Sequence, residues 1–161
     1  MIIALILLFF SLGAIFWQDN KMRQIHIVLP VIVFLCAFIF IKSFPSKYTI
    51  IFSNLIFLFT TFITLIVYMS IKNKKYVNPF KNYFGLGDLL FYVAISPLFL
   101  LKSYIVFFVC SMIFAIAIQY LFKKHISQDS VPLAGLSSVL LVLIILNDTL
   151  LSYYQVTLIK L

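Results

Sequence analysis

The chain has 161 residues, of which 65% are hydrophobic and 10% charged, with a formal net charge of +8. A soluble domain usually carries about 25% charged residues, and so few polar side chains cannot cover a water-facing surface; the high hydrophobicity also excludes disorder. Continuous apolar runs argue against a transmembrane β-barrel, whose strands alternate apolar and polar, and leave an all-α polytopic membrane protein.

Six apolar segments follow in chain order, each read as one span of a bilayer core that takes about 20 helical residues. The first covers residues 1–17. It resembles a signal peptide in hydropathy only, because no Lys or Arg precedes it and no small-residue cleavage site follows. The second, 25–41, is short and contains Pro30. The third, 48–71, offers only Thr60, Thr61 and Thr64 as its mid-membrane polar residues, which carbonyls four residues back can satisfy. The fourth, 83–101, contains Gly85, Gly87 and Pro97, and Pro97 is expected to kink it. The fifth is 103–122, and the sixth starts at Val131 and continues to at least Leu146. Cys36 and Cys110 lie inside apolar runs without a CxxC pair and are expected to be buried thiols. With no linker or repeat, residues 1–161 read as one domain.

The connections alternate in charge. Lys21, Arg23, Lys72, Lys74, Lys75, Lys81, Lys123 and Lys124 fall on one side, and Lys42, Lys47, Lys102 and Lys160 on the other. The excess of positive charge on cytoplasmic loops places the first group inside and both termini outside. Basic residues placed this way set topology and meet anionic lipid; they form no stripe for a nucleic acid. The expected location is the plasma (inner) membrane, crossed several times, with the lipid bilayer as a partner.

The four acids are Asp19, Asp88, Asp129 and Asp148. Asp148, in Asn147-Asp148-Thr149, reads as part of an interfacial polar cluster near the outer end of span six. Asp129 precedes Ser130, Val131 and Pro132, which is ordinary helix-start chemistry. Asp19 and Asp88 differ, because both fall at the cytoplasmic ends of apolar helices and could meet across the bundle. Ionisable groups there are functional candidates by default. The ordinary alternatives are an N-cap for Asp88 and an ion-pair partner for Lys21 or Arg23 in the case of Asp19. Gly85 and Gly87 flank Leu86 just before Asp88, where glycine permits close approach of another backbone. His26 and His125 are isolated, show no HExxH spacing, and read as structural interfacial residues.

Gly85-Leu86-Gly87-Asp88 resembles the GxGD signature of the aspartyl membrane proteases, and within them the chain looks most like the type IV prepilin peptidases. Asp19, followed by Arg23 and Ile25, is similar to that family's first catalytic Asp with its basic and aliphatic followers. Val131-Pro132-Leu133-Ala134 before an apolar run resembles its last helix, and six spans fit its protease core. The chain departs from the family at Ile25-His26-Ile27, where a Pro is common, and at Leu90, where a Lys is common. It also has no insert with paired CxxC motifs, so it resembles the protease-only form.

The resemblance implies an aspartic endopeptidase with Asp19 and Asp88 catalytic, Gly85 and Gly87 supporting them, and no metal or cofactor. Two carboxylates in one site share a proton, so that one activates water and the other polarises the scissile carbonyl. The implied substrates are membrane-anchored precursors with an N-terminal leader, of the pilin, pseudopilin or archaellin type, in type IV pilus assembly or protein secretion. The rival expectation is a small non-catalytic membrane protein, such as a transporter subunit or assembly factor. A GxGD protease that cuts inside substrate spans would need an acid deeper in the membrane than Asp19.

Overall fold

Helix α1 (Ile2–Met22) is an apolar run with neither Pro nor an interior charge until Asp19, and nothing interrupts it there. It extends five residues past the expected end at Trp17, so Asp19 and Lys21 lie on the helix. Arg23 ends it in the left-handed region, φ 54°, with its N–H on the Asp19 carbonyl at 3.1 Å. This closing geometry usually takes Gly, and it costs a non-Gly residue about 1–2 kcal/mol. Helix α2 (Val28–Ile41) starts two residues before Pro30, where a proline's missing N–H costs nothing because the first turn has no acceptor for it. The proline therefore opens this helix and does not kink it.

These coordinates are a computed structural model, and residues 2–42, 44–74, 85–122, 132–151 and 155–159 are described. Helix α3 (Lys47–Asn73) follows, then α4 (Leu86–Ile95), a 3-10 turn (Ser96–Leu98), α5 (Leu101–Phe122) and α6 (Leu133–Leu151). All regular structure among the described residues is helical. Three helices, Ile2–Met22, Lys47–Asn73 and Leu101–Leu121, are long and apolar enough to cross a membrane, and three shorter ones are apolar as well. Large side chains such as Phe10, Phe52, Ile116 and Tyr120 stand uncovered on outer faces, a surface suited to hydrocarbon. Asp129, His125, Lys75, Lys81, Lys123, Lys124, Lys160 and the expected span starts at Tyr83 and Val131 lie outside the described residues.

Helix α1 packs between α2 and α6, α4 lies on α2 and touches α6, and α5 lies on α6. Helix α3 is peripheral and buries only Ile50, Asn54, Leu58 and Phe62. The stripe that α1 turns inward is Ala4, Leu8, Ser11, Leu12, Ile15 and Asp19. Its spacing is that of one helix face, and Asp19 ends it.

Pro97 does more than kink the fourth segment. Helix α4 stops at Ile95, the Ser96 N–H turns to the Val93 carbonyl, and Phe99 is extended. Three carbonyls at the break find partners from elsewhere in the chain. The Asn54 side-chain amide donates to the Ser96 and Phe99 carbonyls at 2.7 and 2.8 Å, and the Leu158 N–H donates to the Leu98 carbonyl at 2.8 Å. A neighbour's side chain thus satisfies the broken helix, as burial in an apolar medium requires. Asn54 belongs with the threonines in the polar inventory of α3, and it is fully buried. Thr64 donates to the carbonyl four residues back, as expected, whereas Thr60 and Thr61 donate to carbonyls three residues back.

Cys36 is buried, but Cys110 is exposed on α5. An apolar sequence context does not distinguish the two, because the outside of such a bundle is as apolar as its inside.

Candidate active site

The start of α6 is the organising element. Its first helical residue is Leu133, and the Leu136 N–H closes on the Pro132 carbonyl at 3.1 Å, which makes Pro132 the residue before the helix. An N-cap side chain normally accepts from the second or third amide of a helix, and Pro132 has no oxygen on its side chain. Those two amides belong to Ala134 and Gly135. The Ala134 N–H donates to Asp88 Oδ1 at 2.7 Å and the Gly135 N–H to Asp19 Oδ2 at 2.6 Å. Consecutive main-chain donors thus hold the two carboxylates, one from the end of α1 and one from the start of α4. The positive end of the α6 dipole favours negative charge at that point.

The remaining contacts fix each acid from its own side. Asp88 is the third residue of α4, and its Oδ2 accepts from the Gly85 N–H at 3.2 Å. Gly85, not Asp88, is therefore the N-cap; Asp88 closes a capping box back onto the Gly85 N–H and reaches α6 in addition. Asp19 is only 6% exposed, whereas Asp88 is half-buried. The two carboxylates interact electrostatically with one another, and the Arg23 guanidinium interacts with both. Lys21 turns elsewhere, with its ammonium 5.7 Å from the centre of the Trp17 ring.

The glycines have separate tasks. A Cβ on Gly85 would stand 3.0 Å from Asp88 Oδ2, so this glycine lies against the acid. A Cβ on Gly87 would stand 3.0–3.2 Å from three atoms of Ile25, so the space beside Gly87 is filled by Ile25 and not by the acid. A side chain added at Gly87 would therefore meet Ile25 before it met Asp88. Gly135, which the sequence reading did not single out, is the tightest against the pair: a Cβ there would lie 3.0 Å from Asp19 Oδ2, 3.1 Å from its Cβ and 3.4 Å from its Cγ.

The other candidates fall outside this cluster. Asp148 is 4% exposed and lies near the end of α6. It accepts from the Val156 N–H, from the Thr157 N–H at 2.6 Å and from the Thr157 hydroxyl at 2.7 Å, and so fastens residues 155–159 to the end of α6. The side chain of His26 is exposed, while its N–H donates to Gln18 Oε1 at 3.0 Å across the α1–α2 turn. Leu90 is half-buried on α4. Among the described residues there is no group of three or more His, Cys, Asp or Glu positioned to hold a metal ion.

Two carboxylates held beside one another at one end of a helical bundle can do general acid and base work on a single bond. Compared with known protein families, with characterised proteins and with solved structures, the chain finds no match in any of the three.

Proposed function

We propose that the chain is a multi-pass aspartyl endopeptidase of the plasma membrane, similar to the protease-only type IV prepilin peptidases, that removes the leader of pilin-like, pseudopilin-like or archaellin-like precursors at the cytoplasmic face. The observation that carries this reading is the convergence of Asp19 and Asp88 on the adjacent amides of Gly135 and Ala134. The reading takes all six apolar segments as spans with both termini outside. A 14-residue helix such as α2 rises about 21 Å, short of a core of about 30 Å. The shorter helices therefore cross where the bilayer thins or where flanking residues snorkel.

In this mechanism the pair holds one proton. The ionised carboxylate takes a proton from a water molecule as its oxygen attacks the scissile carbonyl carbon. The protonated carboxylate donates to the carbonyl oxygen as it becomes a hydroxyl. Collapse of the tetrahedral intermediate breaks the C–N bond, and the proton passes to the leaving amine. The α6 amides hold both carboxylates in place throughout, a preorganisation that requires no movement at the moment of reaction.

A second reading has its own observation. Asp19 and Asp88 occupy the positions of missing N-cap groups, and a non-catalytic membrane protein would use them only to close α6. Asn separates the two readings, because it keeps an oxygen that accepts from the amides but cannot exchange the proton. Under the protease reading Asp19→Asn and Asp88→Asn each abolish conversion of a co-expressed precursor, and the double variant is no worse than either, as expected of residues that act as one unit. Normal processing by Asp88→Asn would leave the non-catalytic reading in its place.

A further inference from the structure

One turn beyond Asp88 on α4 is Tyr92, fully buried, and its hydroxyl lies 2.7 Å from Ser111 Oγ on α5 and 3.2 Å from Ser137 Oγ on α6. Residues four apart on a helix share a face, so Tyr92 looks the same way as Asp88. Ser137 stands two residues after Gly135 and three after Ala134. Helices α4 and α6 are therefore joined by two rungs: Asp88 to the Ala134 amide, and one turn deeper Tyr92 to Ser137. The main chain at Tyr92 is fixed as well. The Ser96 N–H has turned to Val93 at the proline break, and the Tyr104 hydroxyl donates to the Tyr92 carbonyl at 2.9 Å. On α6 the Ser138 hydroxyl donates to the Gly135 carbonyl at 2.7 Å.

We infer that Tyr92 is a positioning residue: through its hydroxyl, shared by Ser111 and Ser137, it sets the rotation of α4 against α6 so that Asp88 meets the Ala134 amide beside Asp19. Leu, Phe and Ile packing alone specifies such a rotation poorly, since apolar contacts are non-directional. A hydroxyl with two fixed partners in a dry interior has one good arrangement, and leaving it unpaired is costly. The Tyr92 ring also rests against Phe91 and Phe108, with ring centres 5.6 and 4.9 Å away, so Phe at this position retains the packing and removes only the polar rung.

As a catalytic statement this inference depends on the protease reading, but its main test does not. Backbone hydrogen exchange is measured on the full chain in detergent for wild type, Tyr92→Phe and Ser137→Ala, with Tyr48→Phe on the exposed start of α3 as control. Tyr92→Phe is expected to speed exchange at Ala134 and Gly135 by about tenfold, as a weakened carboxylate bond would. Amides in the rest of α5 and α6 should keep their rates. Ser137→Ala should do the same to a smaller degree, and the double variant should add little. In the processing assay kcat should fall by about tenfold with KM nearly unchanged, because a misplaced group costs the chemical step. Unchanged exchange at Ala134 and Gly135 in both variants overturns the inference. So does a uniform rise across α4, α5 and α6, which would mark Tyr92 as ordinary core. If wild type itself processes no leader, the protease reading falls, and exchange at the two amides still decides whether Tyr92 sets the helix register.

Discussion

Gly135→Ala is the sharpest perturbation of the acid pair. The added methyl would lie 3.0 Å from Asp19 Oδ2, 3.1 Å from its Cβ and 3.4 Å from its Cγ. The first contact involves the mobile end of a side chain, but the second involves its root on a packed helix. Carbon atoms rest at about 3.5–4.0 Å, so the Asp19 Cβ must withdraw by roughly 0.4–0.9 Å, and the 2.6 Å bond from the Gly135 N–H lengthens with it. Misplacing a reacting group by about 1 Å costs on the order of a hundredfold in rate. Stability should change far less. Overpacking costs about 1–3 kcal/mol, whereas replacing Gly by Ala inside a helix returns about 1 kcal/mol. Conversion of precursor to mature product in membranes should therefore fall by about tenfold to a hundredfold, while thermal unfolding in detergent shifts by a few degrees. Gly13→Ala is the matched control, since a Cβ there meets nothing within 4 Å. It should leave processing intact. Full activity in Gly135→Ala would mean that Asp19 is not held by this amide when it works.

Gly87→Val should lose activity through Ile25, the residue its side chain would strike, and Ile25→Ala should restore part of it in the double variant; a double variant as inactive as Gly87→Val would place the damage elsewhere. Asp148→Ala strips the acceptor from the Val156 and Thr157 amides, and each buried donor left unpaired costs about 1–3 kcal/mol. Its unfolding temperature should drop while activity per folded molecule persists. Cysteine placed at Lys74 should resist an impermeant label in intact cells and cysteine at Lys47 should react, and the reverse pattern would put the acid pair on the outer face.

The helices were legible in the sequence because hydropathy alone marks them, and their breaks were legible only in part. Pro97 announced a distortion, but what makes the distortion tolerable is Asn54, 42 residues away from Ser96 in sequence. No local pattern reveals that pairing, although a lone Asn in an apolar run was the available clue. Asp19 was more readable than its position near a helix end suggests. Counting back along α1, positions 15, 12 and 8 hold the buried Ile15, Leu12 and Leu8, so Asp19 continues an inward stripe at spacings of four and three. Gly135 could not be read as a site residue in advance, because its role depends on which side chain arrives over it from α1.

The three described acids, Asp19, Asp88 and Asp148, show that residue type and apolar context do not settle a role; the origin of the donors does. Asp148 is as buried as Asp19, yet its partners lie eight and nine residues ahead, on a segment that it folds back onto its own helix. Such a carboxylate is used up by a local turn. Asp88 and Asp19 are met by amides 46 and 116 residues away, and those amides are neighbours in the chain. Bringing two like charges together opposes folding. It persists here because the residue before α6 is a proline whose side chain cannot cap it, and the Ala134 and Gly135 amides take the two distant carboxylates. Each defect corrects the other: the helix start needs two oxygens, and the oxygens need two donors and a positive dipole. A residue able to cap α6 locally would remove the need for the pair, so Pro132→Ser should weaken the hold of α6 on Asp19 and Asp88 by offering its amides a nearer oxygen. Lower activity with unchanged or higher stability is the expected signature. Unaltered activity would mean that the distant carboxylates outcompete a local cap without difficulty, and that the proline is not what keeps the pair together.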